Sequence, residues 1–249
     1  MSPETRQTSI QSPIQIERYF KRFSLRQRLE HLVLLLCVGV LLATGLPQKY
    51  RSMSWSLSLL SSPERLERLQ TIHHAAAIGL TLLGLYLAIR TVVLLFQKKL
   101  SGDMLPVVQD LRDAGQMLRY LFFLTENKPK FGKYNFEQKF TYWFLFFSIG
   151  LMVVSGFLIW FPIFFTRLLP GGIIPAALHS HSTEAVVTGV FILIWHFYHV
   201  HIERLNLSVF SGKLSDTDMR SYHAREYERL VNEANLKGNE VSLDTGEKP

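Results

Sequence analysis

The chain has 249 residues, of which 48% are hydrophobic and 12% aromatic, and its formal net charge is +7. The single cysteine, Cys37, excludes an internal disulfide and any zinc or iron–sulfur site built from several thiolates. The basic residues lie between long apolar segments and do not share one soluble surface, so the pattern indicates a membrane protein and not a nucleic-acid-binding one.

Four apolar segments are long enough to cross a bilayer, which takes about 20 residues, or about 17 at least. The sequence therefore predicts an all-α integral membrane four-helix bundle with additional interfacial and tail helices. The predicted spans are Leu29–Leu46 (which we expect to end at Pro47), Thr71–Phe96, Phe140–Phe161 and Thr183–Val200. They divide the chain into an N-terminal segment 1–28, a membrane domain 29–203 and a tail 204–249.

Lysine and arginine are distributed unequally between the two sides of these spans. Residues 1–30, 98–139 and 204–249 hold six, eight and seven of them, against five in the connections on the other side. Because cytoplasmic loops of membrane proteins are rich in these residues, both termini and the long 98–139 loop are predicted to be cytoplasmic.

Two segments outside the spans have helical patterns of their own. Apolar residues recur at helical spacing from Val107 to Phe122, just after Pro106, which predicts an amphipathic helix on the cytoplasmic membrane surface. Asp216 is a suitable N-cap for a helix in the tail. The last dozen residues have the polar composition of disordered chain.

The histidines are concentrated at the ends of the predicted spans. The cluster toward the predicted cytoplasmic side consists of His31, His196, His199 and His201. The cluster toward the other side consists of His73, His74, His179 and His181. Ionisable residues within a bilayer are costly and usually functional. Two haem irons, each with axial imidazoles from two helices, explain such a pattern economically.

Helical geometry ranks the candidate ligands. His181 and His196 are 15 residues apart, about 22 Å along a helix, which separates two sites by most of the hydrocarbon core. His199 is the alternative to His196. On the other side His73 is favoured over the alternative His74, because small residues share its helical face.

Several short motifs occur in a fixed order along residues 16–230. They are Arg26–Leu29 with His31, Thr44–Pro47, His73, the loop Lys133–Lys139, Ser155-Gly156, and His181 leading to Trp195–His199. In this order they resemble the membrane cytochrome b subunits of formate dehydrogenase (the gamma subunit) and of related hydrogenase and thiosulfate-reductase complexes.

The resemblance implies a bacterial inner-membrane protein with two non-covalent haem b groups. It also implies a binding site for a quinone such as menaquinone beside the cytoplasmic haem. The residues implied are His31 with His196 for the cytoplasmic haem, His73 with His181 for the outer haem, and Asn135, Lys139 and His199 for the quinone. The chain would then be the electron-transfer subunit of an oxidoreductase complex, relaying electrons between an extracytoplasmic iron–sulfur or multihaem cytochrome subunit and the quinone.

Two positions depart from the family pattern. Glu137 stands where the family usually has glycine, and the last-span histidines are one residue further apart than usual, which keeps His179 as a weaker candidate. Two other functions remain as alternatives. The spacing of His196, His199 and His201 superficially resembles the histidine boxes of membrane di-iron hydroxylases and desaturases, and a cofactor-free membrane anchor is the other alternative.

Overall fold

A computed structural model shows an almost entirely helical protein and describes residues 19–202 and 206–237. In chain order the elements are β1 Tyr19–Lys21, α1 Leu25–Lys49, α2 Ser54–Leu59, α3 Pro63–Phe96, a 3₁₀ turn Gly102–Met104, α4 Val108–Leu121, α5 Phe136–Trp160, α6 Pro162–Thr166, α7 Ile173–Phe191, π-helical turns Ile192–His196 and Tyr198–Ile202, α8 Ser208–Ser211, β2 Lys213–Ser215, α9 Asp216–Tyr222 and α10 Ala224–Lys237. The last dozen residues, for which disorder is predicted, lie outside the described part of the chain, as do residues 1–18 and 203–205.

Four helices are long and apolar enough to cross a membrane: α1, α3, α5, and α7 with its π-helical continuation to Ile202. The predicted all-α membrane bundle is confirmed. Few residues of these helices are buried within the protein, and leucine, isoleucine, valine and phenylalanine side chains dominate their exposed surface. Such an apolar surface is stable against hydrocarbon. The backbone polar groups within a helix are hydrogen-bonded to one another and need no water.

The spanning helices begin earlier than hydropathy predicted, and in α1, α3 and α5 a capping side chain starts the helix outside the apolar segment. α1 begins at Leu25, four residues before Leu29. Ser24 Oγ accepts a hydrogen bond from the backbone N–H of Gln27 at 3.3 Å, and Gln27 Oε1 accepts one from the backbone N–H of Ser24 at 2.9 Å. This reciprocal capping satisfies two donors at the helix start.

The expectation that Pro47 ends the first span was wrong, since α1 continues through it to Lys49. A proline inside a helix removes one backbone hydrogen bond and crowds the preceding turn. Here it lies in the last turn, where two backbone carbonyls also accept hydrogen bonds from side chains. Ser56 Oγ donates to the Pro47 carbonyl at 2.6 Å, and Gln48 Nε2 donates to the Thr44 carbonyl at 3.0 Å.

The spans are arranged as two hairpins whose helices alternate in direction. α1 packs along α3, α5 packs along α7, and α1 also contacts α7, so their order is α3–α1–α7–α5. We call the end where α1 and α5 begin the basic end, and the other end the opposite end. At the basic end Arg90 Nη1 donates to both carboxylate oxygens of Glu30, at 2.8 and 3.0 Å, which joins α3 to α1.

The predicted amphipathic helix is present as α4, held against the start of α5. Lys139 Nζ donates to Asp110 Oδ2 at 2.9 Å and to the Leu105 carbonyl at 3.1 Å. Trp143 Nε1 donates to the Met104 carbonyl at 2.9 Å. These bonds keep α4 at the basic end of the bundle.

The tail folds back over the same end. β2 pairs antiparallel with β1, with Phe20 opposite Leu214. His223 Nδ1 lies 2.9 Å from the Gly132 carbonyl. The N-cap of α9 is Ser215, whose Oγ accepts from the backbone N–H of Asp218 at 3.1 Å, so the expectation that Asp216 caps this helix was wrong by one residue.

Nearby, the loop before α5 is fixed to the 3₁₀ turn by an ion pair. Lys133 Nζ lies 2.7 Å from Asp103 Oδ2. Hydrogen bonds from the Lys133 ammonium and the Ser101 hydroxyl lower the pKa of Asp103 below its usual value.

Candidate functional site

At the opposite end of the bundle two histidines from different hairpins face each other. His73 lies on α3 and His181 on α7, and their ring centres are 6.3 Å apart. Each ring is half-buried, and each is held by a hydroxyl group on the neighbouring helix of its own hairpin.

Thr44 on α1 holds His73. Its Oγ1 lies 2.9 Å from His73 Nδ1, and the same hydroxyl donates its proton to the Val40 carbonyl at 2.7 Å. Because a hydroxyl has one proton and that proton is already donated, Oγ1 accepts from His73. The hydrogen on this imidazole is therefore at Nδ1, and Nε2 keeps its lone pair.

Ser155 on α5 holds His181 in the same way. Its Oγ lies 3.0 Å from His181 Nδ1 and donates to the Leu151 carbonyl at 2.7 Å. His181 Nδ1 also lies 3.1 Å from the Met152 carbonyl, which can only accept. His181 therefore has the same tautomer as His73, with Nε2 available to a metal.

A glycine follows each of these hydroxyl residues and makes room for the imidazole. A Cβ atom at Gly45 would lie 3.2 Å from Cε1 of His73, and one at Gly156 would lie 3.2 Å from Cε1 of His181. Both distances are shorter than ordinary van der Waals contact. The hydroxyl–glycine pairs Thr44-Gly45 and Ser155-Gly156 thus fix both the tautomer and the position of the two rings.

A second pair of histidines faces each other at the basic end. His31 near the start of α1 and His196 in the π-helical part of the last span have ring centres 6.4 Å apart. Within the described ranges, neither ring has a hydrogen-bond partner comparable to Thr44 or Ser155. The Glu30–Arg90 ion pair lies beside this pair along the chain.

The spacing of both pairs fits two imidazoles that share one metal ion. A ring nitrogen binds a first-row metal at about 2.0 Å and the ring centre lies about 1.1 Å beyond it, so opposed imidazoles have centres about 6.2 Å apart. The observed separations are 6.3 and 6.4 Å. In the part of the chain that the structure describes, no three His, Cys, Asp or Glu side chains are grouped to hold a metal ion.

The alternates have other surroundings, although the His74 ring is also 6.4 Å from that of His73. The His74 ring stacks on Trp160 at 4.0 Å, and His179 is exposed. The His199 ring lies 4.5 Å from that of Trp195. In a regular α-helix His181 and His196 would be about 60° apart around the axis, and the wider π turn at Ile192–His196 changes that rotation.

The three residues predicted to contact a quinone are all near the basic end, at the start of α5 and the end of the last span. Asn135 Oδ1 caps α5 by accepting from the backbone N–H of Gln138 at 2.8 Å, and Asn135 Nδ2 donates to Glu137 Oε2 at 3.2 Å. His199 Nδ1 lies 3.9 Å from the same Glu137 oxygen. Lys139 is buried and bonded to α4, so its charge is neutralised by Asp110.

Comparison with known proteins decides the family. A family model described as prokaryotic cytochrome b561 matches residues 22–211. The chain belongs to the prokaryotic cytochrome b561 family. It is a membrane cytochrome of the haem b type, and the donor set fits that cofactor, because both imidazole pairs have the spacing of two ligands to one iron and His73 and His181 have Nε2 free.

The curated relatives of this cytochrome are similar at low identity. The cytochrome b556(fdo) subunit of formate dehydrogenase from Escherichia coli is 21% identical over 213 residues, covering 84% of this chain and 92% of that protein. The cytochrome b556(Fdn) subunit of the nitrate-inducible enzyme of the same species is 25% identical over 126 residues, covering 49% and 58%. The cytochrome b556 subunit of formate dehydrogenase from Haemophilus influenzae is 26% identical over 172 residues, covering 68% and 66%.

Sequence reasoning missed the functional role of the hydroxyl–glycine pairs in this cytochrome. In the sequence each pair is only one part of the motif order, and glycines within spans are most often explained by close helix packing. The available signal was repetition, since both dipeptides lie near the end of a span and each is followed 26 to 29 residues later by a histidine.

We expect Gly45→Ala and Gly156→Ala to lower haem content in the purified cytochrome, because the added methyl group displaces the histidine ring by a few tenths of an ångström. The measurement is the haem-to-protein ratio by extraction and absorbance. Gly39→Ala on α1 and Gly150→Ala on α5 are matched controls, since a Cβ there has no atom within 4 Å. An equal loss in the control variants would contradict this explanation.

Proposed function

We propose that this cytochrome is a di-haem electron relay between a redox partner subunit on the extracytoplasmic side and a membrane quinone near the cytoplasmic side. The observation that carries the proposal is the presence of two imidazole pairs, His73–His181 and His31–His196, at the two ends of one bundle. Bound haem b supplies a one-electron Fe(III)/Fe(II) couple at each pair.

The role of the protein is to orient the ligands and to exclude water. Nδ1–H bonds to Thr44 and Ser155 leave Nε2 of His73 and His181 as the metal-binding atom, and the surrounding apolar helices lower the local dielectric constant. A di-iron hydroxylase would need its histidines to converge on one side, whereas these are divided between two ends. A cofactor-free anchor gives no reason for imidazoles at metal-sharing distance.

Single substitutions of the ligands should separate the two sites. We expect His31→Ala and His196→Ala each to remove one haem and leave the other, and His73→Ala and His181→Ala to remove the other one. The measurement is the haem count with a reduced-minus-oxidised spectrum. His74→Ala is the matched control and should retain both haems, because its ring stacks on Trp160.

Other outcomes would reject the proposal. A wild-type protein with non-haem iron and no haem would favour the di-iron enzyme, and one with no metal would favour the anchor. Loss of haem in His74→Ala but not in His73→Ala would reassign the ligand.

We propose that the basic end faces the cytoplasm, because it carries the connections richest in lysine and arginine. The partner subunit would then bind at the opposite end, near α2 and α6. The relatives are named as cytochrome subunits of formate dehydrogenases, so we propose an iron–sulfur or multihaem cytochrome subunit of such an oxidoreductase complex as the partner.

The difference between the two histidine pairs supports a direction of electron flow. Hydrogen bonds from Nδ1 make Nε2 of His73 and His181 more basic, which favours the oxidised state of a bound iron. His31 and His196 have no such acceptors among the described residues. The site at the opposite end therefore has the lower potential, and electrons run downhill toward the basic end and the quinone.

Removing the hydroxyl groups tests this difference. We expect Thr44→Val to raise the potential of the haem at the opposite end by up to about 40 mV, the equivalent of a neutral hydrogen bond of about 1 kcal/mol. Ser155→Ala should raise the same potential by less, because His181 Nδ1 keeps the Met152 carbonyl, 3.1 Å away, as an acceptor. Potentiometric titration followed in the visible spectrum measures it. Thr44→Ser keeps the hydroxyl and should keep the potential, and an upward shift of both haems would show a general structural effect instead.

For the quinone we propose a site at the basic end that includes Asn135, Lys139 and His199, with Glu137 added to the predicted set. Reduction of a quinone to a quinol takes two electrons and two protons. Glu137 lies between Asn135 and His199, and its carboxylate is 3.9 Å from the imidazole, a gap that one water molecule can bridge for proton transfer. Lys139 contributes indirectly, by holding α4 against α5 through Asp110.

Substitution at Glu137 separates proton delivery from haem binding. We expect Glu137→Gln to slow quinol-linked electron transfer about a hundredfold, the lower end of the range for a general acid or base, while both haems are retained. Stopped-flow haem reduction by a quinol analogue measures the rate. Glu126→Gln, an exposed loop glutamate on the same side, is the control, and an unchanged rate in Glu137→Gln would exclude Glu137 from proton transfer.

A further inference from the structure

The helix α4 has a buried face and an exposed apolar face. Asp113 and Met117 are buried against the protein, whereas Val108, Leu111 and Leu118 are exposed. An exposed apolar stripe on a helix beside membrane spans is typical of a helix that lies in the bilayer surface. The exposed face of α4 thus suits the level at which lipid headgroups meet acyl chains.

Two arginines lie on one side of this apolar stripe. Arg112 and Arg119 are seven residues apart, about two helical turns and about 10 Å along the axis, so both point to the same side. Among the residues that the structure describes, neither side chain has an ion pair or a hydrogen-bond partner. Both line a recess of about 510 Å³, together with Gly115, Gln116, Thr125 and Asn127.

The chain after α4 turns back to form the wall of this recess. Phe123 has φ 58°, the left-handed conformation that normally requires glycine at a helix C-terminus. Its backbone N–H donates to the Tyr120 carbonyl at 3.0 Å, and that of Leu124 donates to the Arg119 carbonyl at 2.8 Å. Gln116 Nε2 then donates to the Asn127 carbonyl at 3.1 Å, which closes the turn over the helix.

The cost of this turn is not offset by packing within the chain. A bulky residue in the left-handed region is strained, yet the Phe123 side chain is 96% exposed and its neighbour Phe122 is 71% exposed. Aromatic side chains in such a position gain free energy by entering the apolar layer of a membrane. The arginines would then be at the depth of the phosphate groups.

We propose that this recess binds the phosphate of an anionic phospholipid, with Arg112 and Arg119 as its charged donors and Phe122, Phe123 and Leu124 inserted among the acyl chains. Guanidinium groups donate paired hydrogen bonds to phosphate. The recess and the exposed apolar stripe adjoin one another on α4, which favours a lipid headgroup as the source of the phosphate.

The experiment measures binding of short-chain phosphatidylglycerol to the delipidated holoprotein in a neutral detergent, with phosphatidylcholine of equal chain length and inorganic phosphate as the other probes. We expect phosphatidylglycerol to bind selectively, and Arg112→Gln and Arg119→Gln each to weaken it about fivefold. Arg167→Gln, an exposed arginine at the opposite end, should leave the affinity unchanged.

Phe123→Gly distinguishes a lipid contact from a folding defect. We expect it to raise the melting temperature in detergent, because glycine adopts this conformation without strain, and yet to weaken phosphatidylglycerol binding. Equal binding of inorganic phosphate would overturn the lipid assignment in favour of a free anion. Equal binding of the two lipids, or equal weakening by Arg167→Gln, would overturn the site.

Discussion

A polar group within a hydrocarbon layer must find its hydrogen-bond partners inside the protein, and that requirement places the imidazoles of His73 and His181. At the opposite end the hydroxyls of Thr44 and Ser155 donate to their own helices and accept from the histidines. The same bonds decide the tautomers, the direction of the free nitrogens and the distance between the rings. These three conditions suit the haem site that we propose, because an iron held by two imidazoles needs all of them together.

Each of the two hairpins holds one histidine by the same arrangement of side chains. In each, a hydroxyl–glycine pair on the first helix holds a histidine near the start of the second helix. The basic end departs from this symmetry, since His31 comes from the first helix of its hairpin and His196 from the end of the last span. At one end the histidines are therefore held by hydrogen bonds and at the other they are not, which is the physical basis of the different potentials that we propose.

The basic end is closed by elements that lie outside the membrane. The strand before α1 pairs with the strand in the tail, and Arg225 from α10 reaches Asp113 of α4 at 3.2 Å. These contacts join α4, the loop before α5 and the tail in one assembly at the basic end. The quinone site that we propose is linked to the lipid recess through α4, since Lys139 bonds to Asp110 on one face of that helix and the two arginines lie on another.

The sequence by itself determined the number of spans, the position of α4 and the two levels of histidine, because hydropathy, helical periodicity and the scarcity of ionisable residues in membranes are local properties. It did not determine where helices begin and end, since Ser24 and Ser215 cap by hydrogen bonds that hydropathy does not record. Only the tertiary structure decided which histidine of each cluster faces a histidine on another helix. The π turn at Ile192–His196, the stacking of His74 on Trp160 and the contact of Gly45 with His73 all depend on how the helices pack against one another.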